Sequence, residues 1–318
     1  MGATPSASAT SSRPQPTIER AEVIANTMLC REHYRLTLRV RGWSDAAPGQ
    51  FVQISRASAM RGDGAIVEPV AGMPLLPRAF SVGGLRVAGD GHEIDVIYRV
   101  VGVATGWMQS LAPGEHATVL GPLGTPFPID PAKSTALLVI GGVGLPPLLY
   151  LAQALQHASV RTVALLGAQR SDLVPLSMIA EASPASDAAC AVRCAHEFAA
   201  LDVPMVISTD DGSLGYKGTV VAALQALTRA QPVTADETVV YTCGPERMMR
   251  ATAAWCHDAG ITCWVCMERP MACGLGTCQS CIVTVRSDAY PSGRRYALCC
   301  SEGPVFAAED VLWDERCA

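Results

Sequence analysis

Apolar and polar positions alternate through much of residues 16–130. In "YRLTLRV" (34–40), Tyr34, Leu36, Leu38 and Val40 alternate with Arg35, Thr37 and Arg39, the period of a strand with one buried face. "EIDVIYRVV" (93–101) repeats the alternation, and "PGQFVQIS" (48–55) is a turn followed by a strand. Short strands separated by Gly/Pro turns predict an antiparallel β-barrel. The stretch "SRASAMRGDGAIVEPVAGM" (55–73) has no such period and is long for a loop, which marks it as a lid or a contact surface.

After residue 131 the pattern changes. "ALLVI" (136–140), "RTVALL" (161–166), "PMVIS" (204–208), "TVVYTC" (238–243) and "ITCWVC" (261–266) are short, largely apolar runs, as suits strands buried on both faces. Helical stretches such as "GTVVAALQALTRA" and "PERMMRATAAWCHDAG" lie between some of them. That alternation predicts a doubly wound parallel sheet. The expected organisation is a disordered tail (1–15), a β-barrel domain (16–130), an α/β domain (131–262) and a small Cys/Gly-rich module (263–318) that needs a staple. The apolar window at 134–155 is interrupted by Gly-Gly-Val-Gly-Leu-Pro-Pro, so it reads as strand, loop and helix rather than a membrane span.

Composition narrows the function classes. The 318 residues are 49% hydrophobic and 17% charged, with a net charge of −5, which argues against a nucleic-acid partner. The first twenty residues contain no apolar signal region, and thirteen cysteines, an odd number, fit a reducing compartment. A cytoplasmic protein is expected.

Three of those thiols stand in "MERPMACGLGTCQSC" (267–281), where Cys273, Cys278 and Cys281 are spaced by four residues and then two. With a distant fourth cysteine this is the plant-type ferredoxin spacing for a 2Fe–2S cluster. Gly274 and Gly276 let the backbone approach a compact anionic cluster and aim N–H groups at its sulfurs. Structural zinc sites favour two Cys-x2-4-Cys knuckles, and only one x2 pair exists here. The fourth thiol comes from "YALCCSEGPVF", which offers Cys299 and Cys300; neighbouring side chains alternate, so one binds and the other packs.

"VIGGVGLPPLL" (139–149) is a strand, a glycine loop and a Pro-opened helix, so Gly141, Gly142 and Gly144 are candidates for a dinucleotide pyrophosphate. "PRAFSVGG" (77–84) sets Arg78 and Ser81 together as a phosphate pair, with Phe80 available to an aromatic ring system. The six histidines have no ligand spacing, and no hydrolytic triad or carboxylate pair is present.

Taken in order, "PRAFS", "IYRVVGVATGWM", "PGEHATVLGPLG", the glycine loop, "STDDGSLG", "YTCGPERMM" and "ERPMACGLGTCQSC" with "CSEGPVF" resemble the electron-transfer subunits of dihydroorotate dehydrogenase B, within the ferredoxin–NAD(P)+ reductase superfamily. The resemblance runs from about residue 16 to 310. It implies FAD on Arg78, Ala79, Phe80 and Ser81, on Ile97, Tyr98 and Arg99, and on Ala104 and Thr105. Cluster ligands are implied at Cys273, Cys278, Cys281 and Cys300, the last because it stands three residues before Gly303. NAD is expected at the glycine loop, with Cys243, Gly244 and Pro245 near the nicotinamide end; Arg170 keeps NADP open.

The implied activity is electron transfer from an FMN-containing dihydroorotate dehydrogenase subunit through the cluster and FAD to NAD+, in pyrimidine biosynthesis, within a heterotetramer of two copies of each chain. A flavin exchanges one or two electrons and so belongs between a one-electron cluster and a hydride carrier. The alternatives are a stand-alone flavin/2Fe–2S NAD(P)H reductase serving a ferredoxin, an oxygenase or another partner, and a non-catalytic redox-sensing or zinc module.

Overall fold

The computed structural model describes residues 15–43, 46–56 and 76–313. The expected tail up to residue 14, residues 57–73 of the expected lid or contact surface, and Cys317 lie outside the described residues.

Strands β1 (Thr17–Cys30), β2 (His33–Val40), β3 (Phe51–Arg56), β4 (Arg78–Ser81), β5 (Gly84–Ala88) and β6 (Gly91–Arg99) are followed by helix α1 (Val103–Gln109) and β7 (His116–Leu123). They form a seven-stranded sheet in the order β4-β3-β7-β1-β2-β6-β5, antiparallel throughout. The alternation in β2 gives it one buried face. Leu36, Leu38 and Val40 are buried with Val23, Ile94, Val96 and Val119, while Arg35 and Arg39 face out to Glu197 and Glu93. After β4 the chain crosses the seam of the barrel, where the Val82 N–H donates to the Gln50 carbonyl and the Gly83 N–H to Asp95. Helix α1 closes one end; the Asn26 amide donates to the Met108 and Leu111 carbonyls.

The second layer contains β8 (Thr135–Gly141), α2 (Leu145–His157), β9 (Arg161–Ala168), α3 (His196–Ala199), β10 (Met205–Thr209), β11 (Tyr216–Lys217), α4 (Val220–Ala230), β12 (Thr238–Cys243), α5 (Glu246–Asp258) and β13 (Thr262–Cys266). Its strands are buried almost end to end, as suits the largely apolar runs. Strands β14 (Ile282–Arg286) and β15 (Arg294–Leu298) make a small hairpin sheet, and β16 (Val305–Ala307) follows.

The order of the large sheet is β11-β10-β9-β8-β12-β13-β16, parallel except for β16 against β13. This sheet therefore extends past residue 262. The division drawn there from the sequence runs through the start of β13, and β16 brings the chain back from the cysteine-rich module to the sheet's edge. The apolar window at 134–155 is β8, a glycine turn and α2. No helix among the described residues is long and apolar enough to cross a membrane.

Candidate functional site

Strand order reverses between β8 and β12, and in α/β sheets the carboxyl ends at such a switch point form a crevice. Here the crevice opens toward the barrel as a cleft of about 1010 Å³. All the residues assigned to flavin and nicotinamide from the sequence line it, from Arg78–Ser81 on β4 to Cys243–Pro245 after β12.

The barrel side is unevenly free to bind. Arg78 is exposed, and its guanidinium donates to the Leu76 and Pro77 carbonyls at 3.0 and 3.2 Å, loop contacts it can exchange for a ligand. Arg99 is engaged by Glu32 through two hydrogen bonds of 2.9 and 2.8 Å. Tyr98 is a core residue at 2% exposure; its hydroxyl donates to Asn26, its ring stacks on Tyr34, and burial pushes its pKa up. Phe80 meets it edge-on. The Thr105 hydroxyl accepts from the Val101 and Gly102 N–H groups and so shapes the turn into α1. Ala104 is buried in the same turn.

The glycines of the opposite wall divide by cause. A Cβ on Gly144 would lie 2.1 Å from the Cys243 carbonyl oxygen, one on Gly244 2.8 Å from the Gly141 Cα, and one on Gly141 2.6 Å from Pro245. These three let the β8 and β12 loops press together. Gly142 instead has φ +49 and open space around its Cβ position, so it is the one of these four cleft glycines not pressed against the facing loop. Helix α2 starts directly beyond, with prolines in its first turn.

Arg170 ion-pairs with Asp172 at 3.4 Å, and Asp172 also meets Arg31 at 3.2 Å. The Asp210 and Asp211 N–H groups donate to the Ala168 and Gln169 carbonyls, which brings this acidic pair beside Arg170. Ser213 holds the Asp211 carboxyl below its usual range, with a smaller contribution from Arg170. Asp210 lines the cleft.

The cysteine loop curls through Gly274, Gly276 and Gln279, all at positive φ. The Cys273 sulfur accepts the Leu275 and Cys278 N–H groups, and the Cys281 sulfur accepts the Cys300 N–H, each at 3.4 Å. Ser280 draws the exposed Cys278 thiol down to about 6, with Cys273 contributing. Burial, then Cys281, pushes Cys300 up to about 11. Cys299 is fully buried and turns away, its thiol donating to the Met267 carbonyl at 3.4 Å. Among the described residues no three His, Cys, Asp or Glu side chains converge as one metal ion would require. The thiols instead neighbour each other as Cys273 with Cys278 and Cys281 with Cys300. Two pairs, with N–H groups aimed at sulfur, fit a two-iron cluster.

Sequence reasoning missed the contacts that tie this loop to the cleft. Gln53, buried on β3, donates to the Ala272 carbonyl at 3.1 Å and packs against Gly274. Arg269 donates to Glu246 at 3.0 Å, and both line the cleft. Cys266 lies beside Cys243 in register at the ends of β13 and β12. None of these residues carries a local signal, because each acts through a partner far away in sequence.

Comparison with known proteins agrees with this geometry. Residues 268–312 match the iron–sulfur cluster binding domain of dihydroorotate dehydrogenase B. The dihydroorotate dehydrogenase B (NAD(+)) electron transfer subunit of Geobacillus kaustophilus is 33% identical over 297 residues, 92% of this chain and 98% of that one. The Bacillus mycoides counterpart is 32% identical over 91% of this chain and 96% of its own length. Among solved structures, an NADH-dependent reduced ferredoxin-NADP oxidoreductase studied for flavin-based electron bifurcation superposes with a TM-score of 0.70 at 26% identity, covering 92% of this chain and 90% of that one. A ferredoxin NADP+ reductase from Neisseria gonorrhoeae shares the fold at TM-score 0.56 and 16% identity, covering 76% of this chain and 92% of its own. The chain belongs to the family of dihydroorotate dehydrogenase B electron-transfer subunits.

Proposed function

We propose that this chain carries electrons from an FMN-containing dihydroorotate dehydrogenase subunit to NAD+, by way of a 2Fe–2S cluster and FAD, in pyrimidine biosynthesis in the cytoplasm. The observation that carries the reading is one continuous stretch of chain. Residues 266–271 line the cleft and Cys273 follows two residues on, so the cysteine loop continues a wall of the cofactor cleft. When bound, nicotinamide supplies hydride chemistry, the cluster single electrons, and flavin both.

In this reading Arg78 and Ser81 hold FAD phosphate, Phe80 packs against its rings, and the β6 backbone at Ile97–Arg99 with the turn at Ala104–Thr105 completes the seat. Gly142 admits the nicotinamide pyrophosphate at the start of α2, while Gly141, Gly144 and Gly244 keep the two loops pressed together. Cys243 and Pro245 bound the nicotinamide end. Cys273, Cys278, Cys281 and Cys300 hold iron. Cys278 is the exposed member of the set, so the cluster sits on the side a partner approaches. The expected assembly is two of these chains with two catalytic subunits.

Co-expression with an FMN-containing catalytic subunit tests this. The two chains should co-purify in equal amounts, and dihydroorotate should reduce NAD+ only when both are present. A brown-yellow chain that ignores the catalytic subunit and reduces a ferredoxin with NADH would favour the stand-alone reductase, and a colourless zinc protein would end both readings.

A further inference from the structure

Between the cleft and the cysteine loop lies a half-buried cation. Arg269 keeps 25% of its side chain exposed and is held in place twice, by Glu246 Oε2 at 3.0 Å and by the Glu268 carbonyl at 2.9 Å. Glu246, at the start of α5, and Glu268 both line the cleft with it. The same segment touches the cysteine side through Met267, two residues before Arg269, whose carbonyl accepts the Cys299 thiol at 3.4 Å. Cys299 adjoins the cysteine loop, its N–H donating to the Cys281 carbonyl at 2.8 Å. A single guanidinium therefore lines the cleft on the segment that leads, four residues on, to Cys273.

From this geometry we infer that Arg269 is a positioning charge that raises the reduction potentials of the flavin and the cluster together, with Glu246 offsetting part of its effect. The inference rests on the assignment of FAD to the cleft and the cluster to the cysteines. Adding an electron adds negative charge, and a fixed cation nearby favours the reduced form. Because Arg269 is only partly exposed, water and salt screen it less than a surface charge. The exposed Glu268 carboxylate opposes it from the cleft side, so the net field depends on how firmly Glu246 holds the guanidinium.

The test is an anaerobic redox titration of the chain loaded with FAD and cluster, following flavin absorbance and the electron paramagnetic resonance of the reduced cluster. Arg269→Gln should lower the cluster's tendency to be reduced about tenfold, a shift of about 59 mV for one electron, and move the flavin the same way. Glu246→Gln should move both potentials up by a smaller factor, and Arg269→Lys should stay near the wild type. Opposite signs for the Arg and Glu variants support the inference. Shifts of the same sign would mean that the loop has merely loosened, and unmoved potentials would mean that the charge is irrelevant; either overturns it. If Arg269→Gln does not retain its cluster, Glu246→Gln carries the test alone: a rise in both potentials supports the inference, and a fall or no change overturns it. A wild-type chain that holds no FAD or no cluster would instead overturn the functional reading beneath it.

Discussion

The Cys300 N–H donates to the Cys281 sulfur at 3.4 Å, whereas the neighbouring Cys299 points its thiol the other way, to the Met267 carbonyl. The alternation of side chains that leaves one of two adjacent cysteines facing the loop is here a matter of two hydrogen bonds. Cys299→Ser should keep full iron and sulfide, since a hydroxyl can still donate to Met267. Cys300→Ser should lose most of both. Iron and sulfide per purified chain decide it, and the reverse pattern would exchange the two assignments.

Among the described residues, Arg78 is the cleft arginine on the barrel side with no carboxylate partner; Arg99 is engaged by Glu32. Arg78→Ala should weaken FAD binding by ~1.5–3 kcal/mol, the usual loss for a hydrogen bond to a charged group and roughly ten- to hundredfold in affinity. Thermal unfolding of the apoprotein should change little, because the lost loop contacts are exposed. Flavin titration of the apoprotein measures both affinities, and equal values would remove Arg78 from the site.

Nicotinamide preference turns on the acidic groups beside Arg170. The guanidinium pairs with Asp172, and Asp210 faces the cleft, so a 2′-phosphate would meet a carboxylate rather than a free cation. Stopped-flow reduction of bound FAD should be faster and tighter with NADH than with NADPH. Asp210→Asn should narrow the gap by roughly tenfold, since a like-charge pair at ~4 Å costs several kcal/mol at an effective dielectric of about 20 before screening. Arg170→Ala should leave the NADH reaction unchanged. Faster reduction of the wild type by NADPH would overturn the NAD assignment.

The strands were legible because their physical causes are local. The two-residue period of β2 and β6 follows from one buried face, and the apolar runs of β8, β9 and β12 from two. The cysteine spacing is a local pattern too, three thiols within nine residues. What stayed hidden depends on contacts between distant segments. Nothing in "GPVFAA" announces that Val305–Ala307 will pair with Thr262–Cys266. A glutamine in the apolar strand Phe51–Arg56 gives no hint of a partner 219 residues away, and Arg269 and Glu246 meet across 23 residues with no pattern joining them. The sequence also presents Gly141, Gly142 and Gly144 as one phosphate loop, although the fold gives them different tasks.

That difference leads to a contrast between two single substitutions. A Cβ at residue 144 would sit 2.1 Å from the backbone oxygen of Cys243, a carbonyl fixed at the end of a buried strand. Gly144→Ala must therefore push the β8 and β12 loops apart, disturbing the nicotinamide end of the cleft and destabilising the α/β layer by several kcal/mol, as overpacking against backbone does. At Gly142 a Cβ meets nothing within 4 Å, and its only penalty is the left-handed backbone, about 1–2 kcal/mol for a non-glycine residue. Gly142→Ala should fold and keep its flavin, yet bind nicotinamide dinucleotide more weakly, because the added methyl stands where the pyrophosphate enters. Melting temperature together with the dissociation constant for NADH, measured on both variants, separates the two effects. A Gly142→Ala chain that binds NADH as the wild type does would move the pyrophosphate away from this loop, and a Gly144→Ala chain with unchanged melting would mean that the two loops are not packed as tightly as the fold requires.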